Sequence, residues 1–138
     1  MQPSTPPPYR PTPEKNAWGA FLVGFRYAFS GISHVIRTQR NMRVHIAIGL
    51  IAVLAGLLLG LSPLEFALLF VTMICVFTAE MFNTVFELCV DLASPQYHPL
   101  AKVAKDVAAG AVLVSAILAV LVGVCLFVPH LWTLLFSR

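Results

Sequence analysis

The chain has 138 residues, 59% of them hydrophobic and 11% charged, with a formal net charge of +3 and a mean hydropathy of +0.85. A water-soluble domain carries roughly twice that share of charge, so a soluble globular fold is excluded and an all-α integral membrane protein, one domain plus a tail, is expected. Three cysteines without a CxxC pair, all inside apolar runs, exclude a disulfide framework and a thiolate metal site.

Residues 1–13 contain six prolines, which cannot sustain a helix interior, and little there is apolar enough to bury. A disordered or polyproline tail is expected over 1–15, and its composition is unlike a cleavable signal peptide, which starts basic and turns apolar. Residues 16–37 read as an amphipathic helix. Trp18, Phe21, Leu22, Phe25, Phe29, Ile32 and Ile36 recur at three- and four-residue steps, with Arg26, His34 and Arg37 on the other side. Polar residues interrupt it too often for a span, so a helix lying at the membrane surface is expected. Its bland alternative is a helix packed on a core. Residues 38–43 form a polar junction.

Residues 44–61 carry no formal charge if His45 is neutral and would extend about 27 Å as a helix, close to the bilayer core thickness. Ala52, Gly56 and Gly60 lie four apart, a stripe that lets helices approach closely. Ser62-Pro63 makes a turn. Residues 64–91 form a second span of about 40 Å, long enough for one end to protrude. Residues 92–104, with Pro95 and Pro99, read as a loop, and 105–128 as the third span, with Ala111, Ser115, Ala119 and Gly123 as its packing face. Pro129 is expected to end it, leaving 129–138 as a C-terminal tail with Trp132 at the opposite interface. Three spans place the N-terminus and the 92–104 loop on one side. Eight of the nine basic residues fall there, which makes that side cytoplasmic by the positive-inside rule.

The second span ends in AEMFNTVFELCVD, 79–91, which holds three of the chain's six acids. Glu80, Asn83, Glu87 and Asp91 are spaced three, four and four, so on a helix they fall at roughly 0°, −60°, −20° and +20° and share one narrow face. A carboxylate entering a membrane segment is costly and marks either a buried structural partner or a functional site. Nearby stand Asp106, Arg40, Arg43, Lys102, Lys105, Gln39 and Asn41. Carboxylates beside cations are what a Mg²⁺–nucleotide site needs: acidic oxygens for the metal, lysine or arginine for phosphate, and one carboxylate to accept a hydroxyl proton. The absence of GxxxxGK excludes a Walker A phosphate loop. Composition leaves three classes open: a phosphoryl-transfer site, an ion-coupled carrier, and a buried structural ion-pair network. Carboxylates near one interface, beside lysines, argue against the carrier.

The runs RNMRVHIA (40–47), AEMFNTVFELCVDL (79–92) and YHPLAKVAKDVAAGAVL (97–113) resemble those of the bacterial diacylglycerol kinase / undecaprenol kinase family, small integral-membrane lipid kinases. The resemblance covers roughly residues 18–127. It implies a surface helix plus three transmembrane helices assembled as a homotrimer in the bacterial inner membrane, with sites between neighbouring subunits at the cytoplasmic face. It also implies Mg²⁺- and ATP-dependent phosphorylation of a lipid alcohol and no nucleic-acid partner. On the family's pattern Glu80 falls on the catalytic base, Asn83 on the residue that positions the reacting groups, and Glu87 on a metal-ligating carboxylate. Asp91, Lys105 and Asp106 fall on polar residues of the nucleotide site, with Lys105 facing phosphate, and Tyr97 and His98 on the loop bordering it. One departure stands out: a second metal-ligating glutamate of the diacylglycerol branch is Gln39 here, an amide that brings no charge.

The RNMRVHI junction is closer to the undecaprenol branch, so undecaprenol is the expected acceptor, with diacylglycerol, giving phosphatidic acid, as the alternative and a non-enzymatic scaffold as the distant one. Bland readings accompany each site residue. Glu80 and Glu87 could pair structurally with Lys102 or Lys105, Asn83 could be interhelical glue, Asp91 and Asp106 helix-end charges, Lys105 a topology anchor, and His98 a loop residue. His34, His45 and His130 are expected to be ordinary residues, not ligands.

Overall fold

Residues 17–136 are described by a computed structural model, which folds them into four helices: α1 (Ala17–Thr38), α2 (Arg40–Leu59), α3 (Pro63–Ala93) and α4 (Pro99–Phe136). No strand occurs among the described residues. The tail expected over 1–15 lies outside them. Along α1 the rings of Trp18, Phe21 and Phe25 meet edge-on, with centroids 6.0 and 4.9 Å apart, as side chains three and four apart do.

The expected junction over 38–43 is almost entirely helical. Only Gln39 leaves helical geometry, at φ −95° and ψ 117°, and its N–H still reaches Val35 O at 2.8 Å. Neither glycine nor proline lies between 38 and 43, so nothing there resists winding beyond one extended residue. α2 ends at Gly60, whose φ of +73° puts it in the left-handed region; its N–H and that of Leu61 both return to Gly56 O. Such a cap favours glycine because a Cβ is strained there. Gly60 therefore caps α2 and is exposed, rather than extending the expected packing stripe. Gly56 does pack, with Phe66 and Leu61 closing around its Cα. Two residues on, Ser62 and Glu65 form a reciprocal capping box with Pro63 in the first turn, and α3 begins.

α3 packs most extensively against α4, and α2 lies against both. The apolar core sits at the α2–α3 turn, where Leu61, Leu69 and Leu126 meet Phe66, Met73, Val122 and Phe127. Most other apolar side chains face outward; Leu58 is 88% exposed. α2, α3 and α4 are each long and apolar enough to cross a membrane, and that outward surface suits acyl chains rather than water.

Two boundaries differ from expectation around α4. The helix starts at Pro99, inside the expected 92–104 loop, because proline suits a first helical turn. It also runs through Pro129 to Phe136 instead of ending there. A proline deletes only one backbone hydrogen bond, which a membrane helix tolerates when other groups take up the carbonyls. The bond lost is the one to Cys125 O, and side chains brace the turn around it: His130 Nδ1 donates to Leu126 O at 2.9 Å and Thr133 Oγ1 to His130 O at 2.9 Å. His130 Nε2 also lies 3.7 Å from Glu65 Oε1.

Candidate active site

Far along α3 from the apolar core, the helix turns polar. Glu80 is 1% exposed, the largest fully buried side chain described, and Asn83 and Thr84 are buried beside it. Thr84 Oγ1 donates to Glu80 O at 2.9 Å, so the hydroxyl is satisfied within the helix. Glu80 Oε1 and Asn83 Oδ1 are not: each is buried without a hydrogen-bond partner among the described residues. His45 Nε2 of α2 stands 3.4 Å from Glu80 Oε1 but is not aligned as a hydrogen bond. Buried polar atoms left this way cost free energy, so they mark a place where another group is to be met.

One and two turns on, Asn83 Nδ2 donates to Glu87 Oε1 at 3.1 Å, and Gln39 Nε2, from the residue before α2, donates to Glu87 Oε2 at 3.4 Å. Gln39, Asn83 and Glu87 thus form one small network tying the start of α2 to α3. A cavity of about 360 Å³ opens beside it, bordered by Arg40, Asn41 and His45 of α2, Glu80 and Asn83 of α3, and the small or apolar residues Ala109, Val112, Leu113 and Ala116 of α4. On another side of Asn83 runs an almost wholly apolar groove of about 520 Å³, bordered by Ile74, Phe82 and Phe86 of α3 and by Ala108 and Ala111 of α4. Asn83 borders both.

Asp91, Tyr97, His98, Lys105 and Asp106 gather elsewhere, around a second polar cavity of about 320 Å³ at the α3–α4 turn. Lys105 Nζ meets Asp91 Oδ1 at 2.6 Å, and Lys102 Nζ meets Asp106 Oδ2 at 2.6 Å. His98 Nδ1 accepts the Leu100 N–H at 3.2 Å, so the ring caps the first turn of α4. Tyr97 is exposed. Glu87 and Asp91 are four residues apart, about 6 Å along the axis, so the two groups are neighbours on one helix.

The structure thus divides the expected site residues into an inner group (Glu80, Asn83, Glu87, Gln39) and an outer one (Asp91, Tyr97, His98, Lys105, Asp106). Both lysines pair with aspartates, not with Glu80 or Glu87 as the bland reading had it. His45 is the residue that sequence reasoning set aside. Its signal was present, since Asn41 and His45 are four apart and face one way on α2, but nothing local pointed to the carboxylate on α3 that it meets.

No group of three His, Cys, Asp or Glu gathers as a metal cluster among the described residues. The inner donor set still fits a magnesium ion carried in on phosphate, which is held by one or two carboxylates and oxygens of the nucleotide. Glu87 would supply the carboxylate, and Gln39, whose amide meets it, a hard oxygen donor.

Comparison with known proteins bears on the chemistry. The family described as prokaryotic diacylglycerol kinase matches residues 26–127. A diacylglycerol kinase of Synechocystis is 45% identical over 137 residues, covering 96% of this chain and 78% of the relative. An undecaprenol kinase of Bacillus subtilis is 38% identical over 117 residues, covering 85% of this chain and 95% of the relative. A diacylglycerol kinase of Pseudomonas aeruginosa is 31% identical over 100 residues, covering 72% of this chain and 76% of the relative.

Proposed function

The chain belongs to the prokaryotic diacylglycerol kinase family and is a lipid kinase, and from that premise we propose that it transfers the γ-phosphoryl group of ATP to the hydroxyl of undecaprenol, giving undecaprenyl phosphate. Glu80 is the base. It takes the hydroxyl proton as the lipid oxygen bonds to the γ-phosphorus and the bond to the bridging oxygen breaks, leaving ADP. Asn83 positions the hydroxyl. The observation that carries this reading is the pair of buried, unpartnered oxygens, Glu80 Oε1 and Asn83 Oδ1, on a cavity next to an apolar groove. A lipid alcohol fits that junction: its head needs polar partners and its tail an apolar path. The lipid is already oriented at the membrane surface, so positioning contributes much of the rate.

Glu87, with Gln39 beside it, would hold Mg²⁺ on the nucleotide; when bound, the ion neutralises phosphate charge. Lys105 would exchange Asp91 for phosphate, and Asp106, Tyr97 and His98 would border the nucleotide. α1 would lie on the membrane surface. The assembly would be a homotrimer in the bacterial inner membrane, with its sites at the cytoplasmic face, as the excess of basic residues on that side supports.

A second reading is favoured by the 45% identity to a relative named diacylglycerol kinase: diacylglycerol as acceptor and phosphatidic acid as product. Phosphorylation in mixed micelles, with each lipid offered alone and then both together, decides between them. Preferential phosphorylation of undecaprenol in the mixture is expected; exclusive labelling of diacylglycerol would transfer the proposal to that lipid.

A further inference from the structure

His45 has no part in the scheme above. We propose that it is a positioning residue for Glu80, holding Oε1 of the carboxylate toward the cavity that the lipid hydroxyl enters. The inference rests on the reading of Glu80 as base.

Glu80 is almost fully withdrawn from water, and Oε1 has no hydrogen-bond partner among the described residues. A buried carboxylate keeps a defined direction only where a donor or a cation faces it. Around the shared cavity the groups able to do so are Arg40, Asn41 and His45 on α2 and Asn83 on α3; the residues from α4 are alanines, a valine and a leucine. The Asn83 amide nitrogen is already given to Glu87. His45 Nε2 stands 3.4 Å from Glu80 Oε1. It needs only a small approach to become an N–H···O bond of about 2.7–3.2 Å. Such contacts are often long in a free enzyme and tighten when substrate is bound.

Position makes the case stronger. The imidazole borders the polar cavity and also an apolar one of about 330 Å³, walled by Gly49, Met73, Val76 and Gly123. It therefore stands at the boundary between a space suited to a hydroxyl and a space suited to hydrocarbon. Without it, the α2 group that stands within 3.4 Å of Oε1 is lost from that boundary, and with it the contact that selects the rotamer presenting Oε1 to the acceptor. Because the contact joins α2 to α3, it also fixes the base relative to the Gln39–Glu87 contact near the start of α2.

The test compares His45→Leu, His45→Gln and His45→Asn in the full chain, with steady-state phosphorylation of the lipid acceptor and thermal unfolding measured together. Glutamine carries an amide nitrogen about as far as Nε2; leucine fills the space without a donor, and asparagine is too short. Losing a bond to a charged group predicts a fall in kcat of about 10- to 100-fold for His45→Leu, with KM for ATP unchanged within about twofold. His45→Gln is expected to recover most of that rate, and His45→Asn not to. Full kcat in His45→Leu would overturn the proposal. If His45→Leu does not fold, equal rates in the Gln and Asn variants would overturn it. Glu80→Gln is run beside them: activity there would sink the base assignment itself, whereas an inactive Glu80→Gln with a fully active His45→Leu sinks the positioning role alone.

Discussion

The inner and outer polar groups sit on neighbouring turns of α3 and are built in opposite ways. In the outer group each charge has a partner in the open: Lys105 with Asp91 and Lys102 with Asp106, the latter pair largely exposed. Exposed pairs of this kind are screened, exchange easily and contribute little to stability, typically about 0–1 kcal/mol. In the inner group the side chains are buried and two oxygens lack partners. Paired, solvent-facing charges can release one another to take up a mobile anion such as a polyphosphate. Buried, unpartnered oxygens wait for a group that arrives in a fixed orientation. The first arrangement suits binding and the second suits chemistry, and a kinase needs both within reach of one phosphoryl group.

Substitutions should therefore separate into effects on the chemistry and its metal inside and effects on nucleotide binding outside. After Glu80 itself, the largest is expected for Glu87→Gln. It removes the acid of the Gln39–Asn83–Glu87 network, and the Mg²⁺ concentration for half-maximal rate should rise by at least the factor of about 10 to 100 that losing a mere supporting partner of a metal ligand costs. A magnesium titration of the rate checks this; an unchanged midpoint would move the metal to the outer group. Lys105→Met comes next. It should raise KM for ATP by about tenfold, as expected for one lost charge-assisted contact, while kcat changes little. A fall in kcat with unchanged KM would mean that Lys105 belongs with the inner chemistry. Smallest is Lys102→Ala, which breaks an exposed pair one turn apart. Thermal unfolding should register a loss of only about 0.3–0.5 kcal/mol and the rate should hold within about twofold. A large effect would show that the outer pairs are structural.

Much of this arrangement is legible in the residues. The three–four–four spacing of Glu80, Asn83, Glu87 and Asp91 fixes a shared face on any helix, and the structure presents the first three toward α2 and its cavity. Lys105 returning to Asp91 follows from the short connection between α3 and α4. The division into two groups was not legible, because it depends on where α2 packs. Gln39 meets Glu87 and His45 approaches Glu80 across sequence separations that no local period encodes. His98 was readable as a loop residue near a site but not as the cap of α4, since the helix start at Pro99 was itself misplaced. Prolines misled twice for one reason. Pro99 and Pro129 both look like breaks in the sequence, whereas a first turn accommodates proline outright and a long apolar helix absorbs the single missing hydrogen bond.

The most direct test of the division is transfer of labelled γ-phosphate from ATP to lipid by Glu80→Gln beside the parent chain, with nucleotide binding followed on the same samples. The account predicts unchanged ATP affinity and a rate reduced by about 10²- to 10⁴-fold, the usual cost of removing a general base. A Glu80→Gln protein that binds ATP and phosphorylates lipid at the parent rate would contradict it.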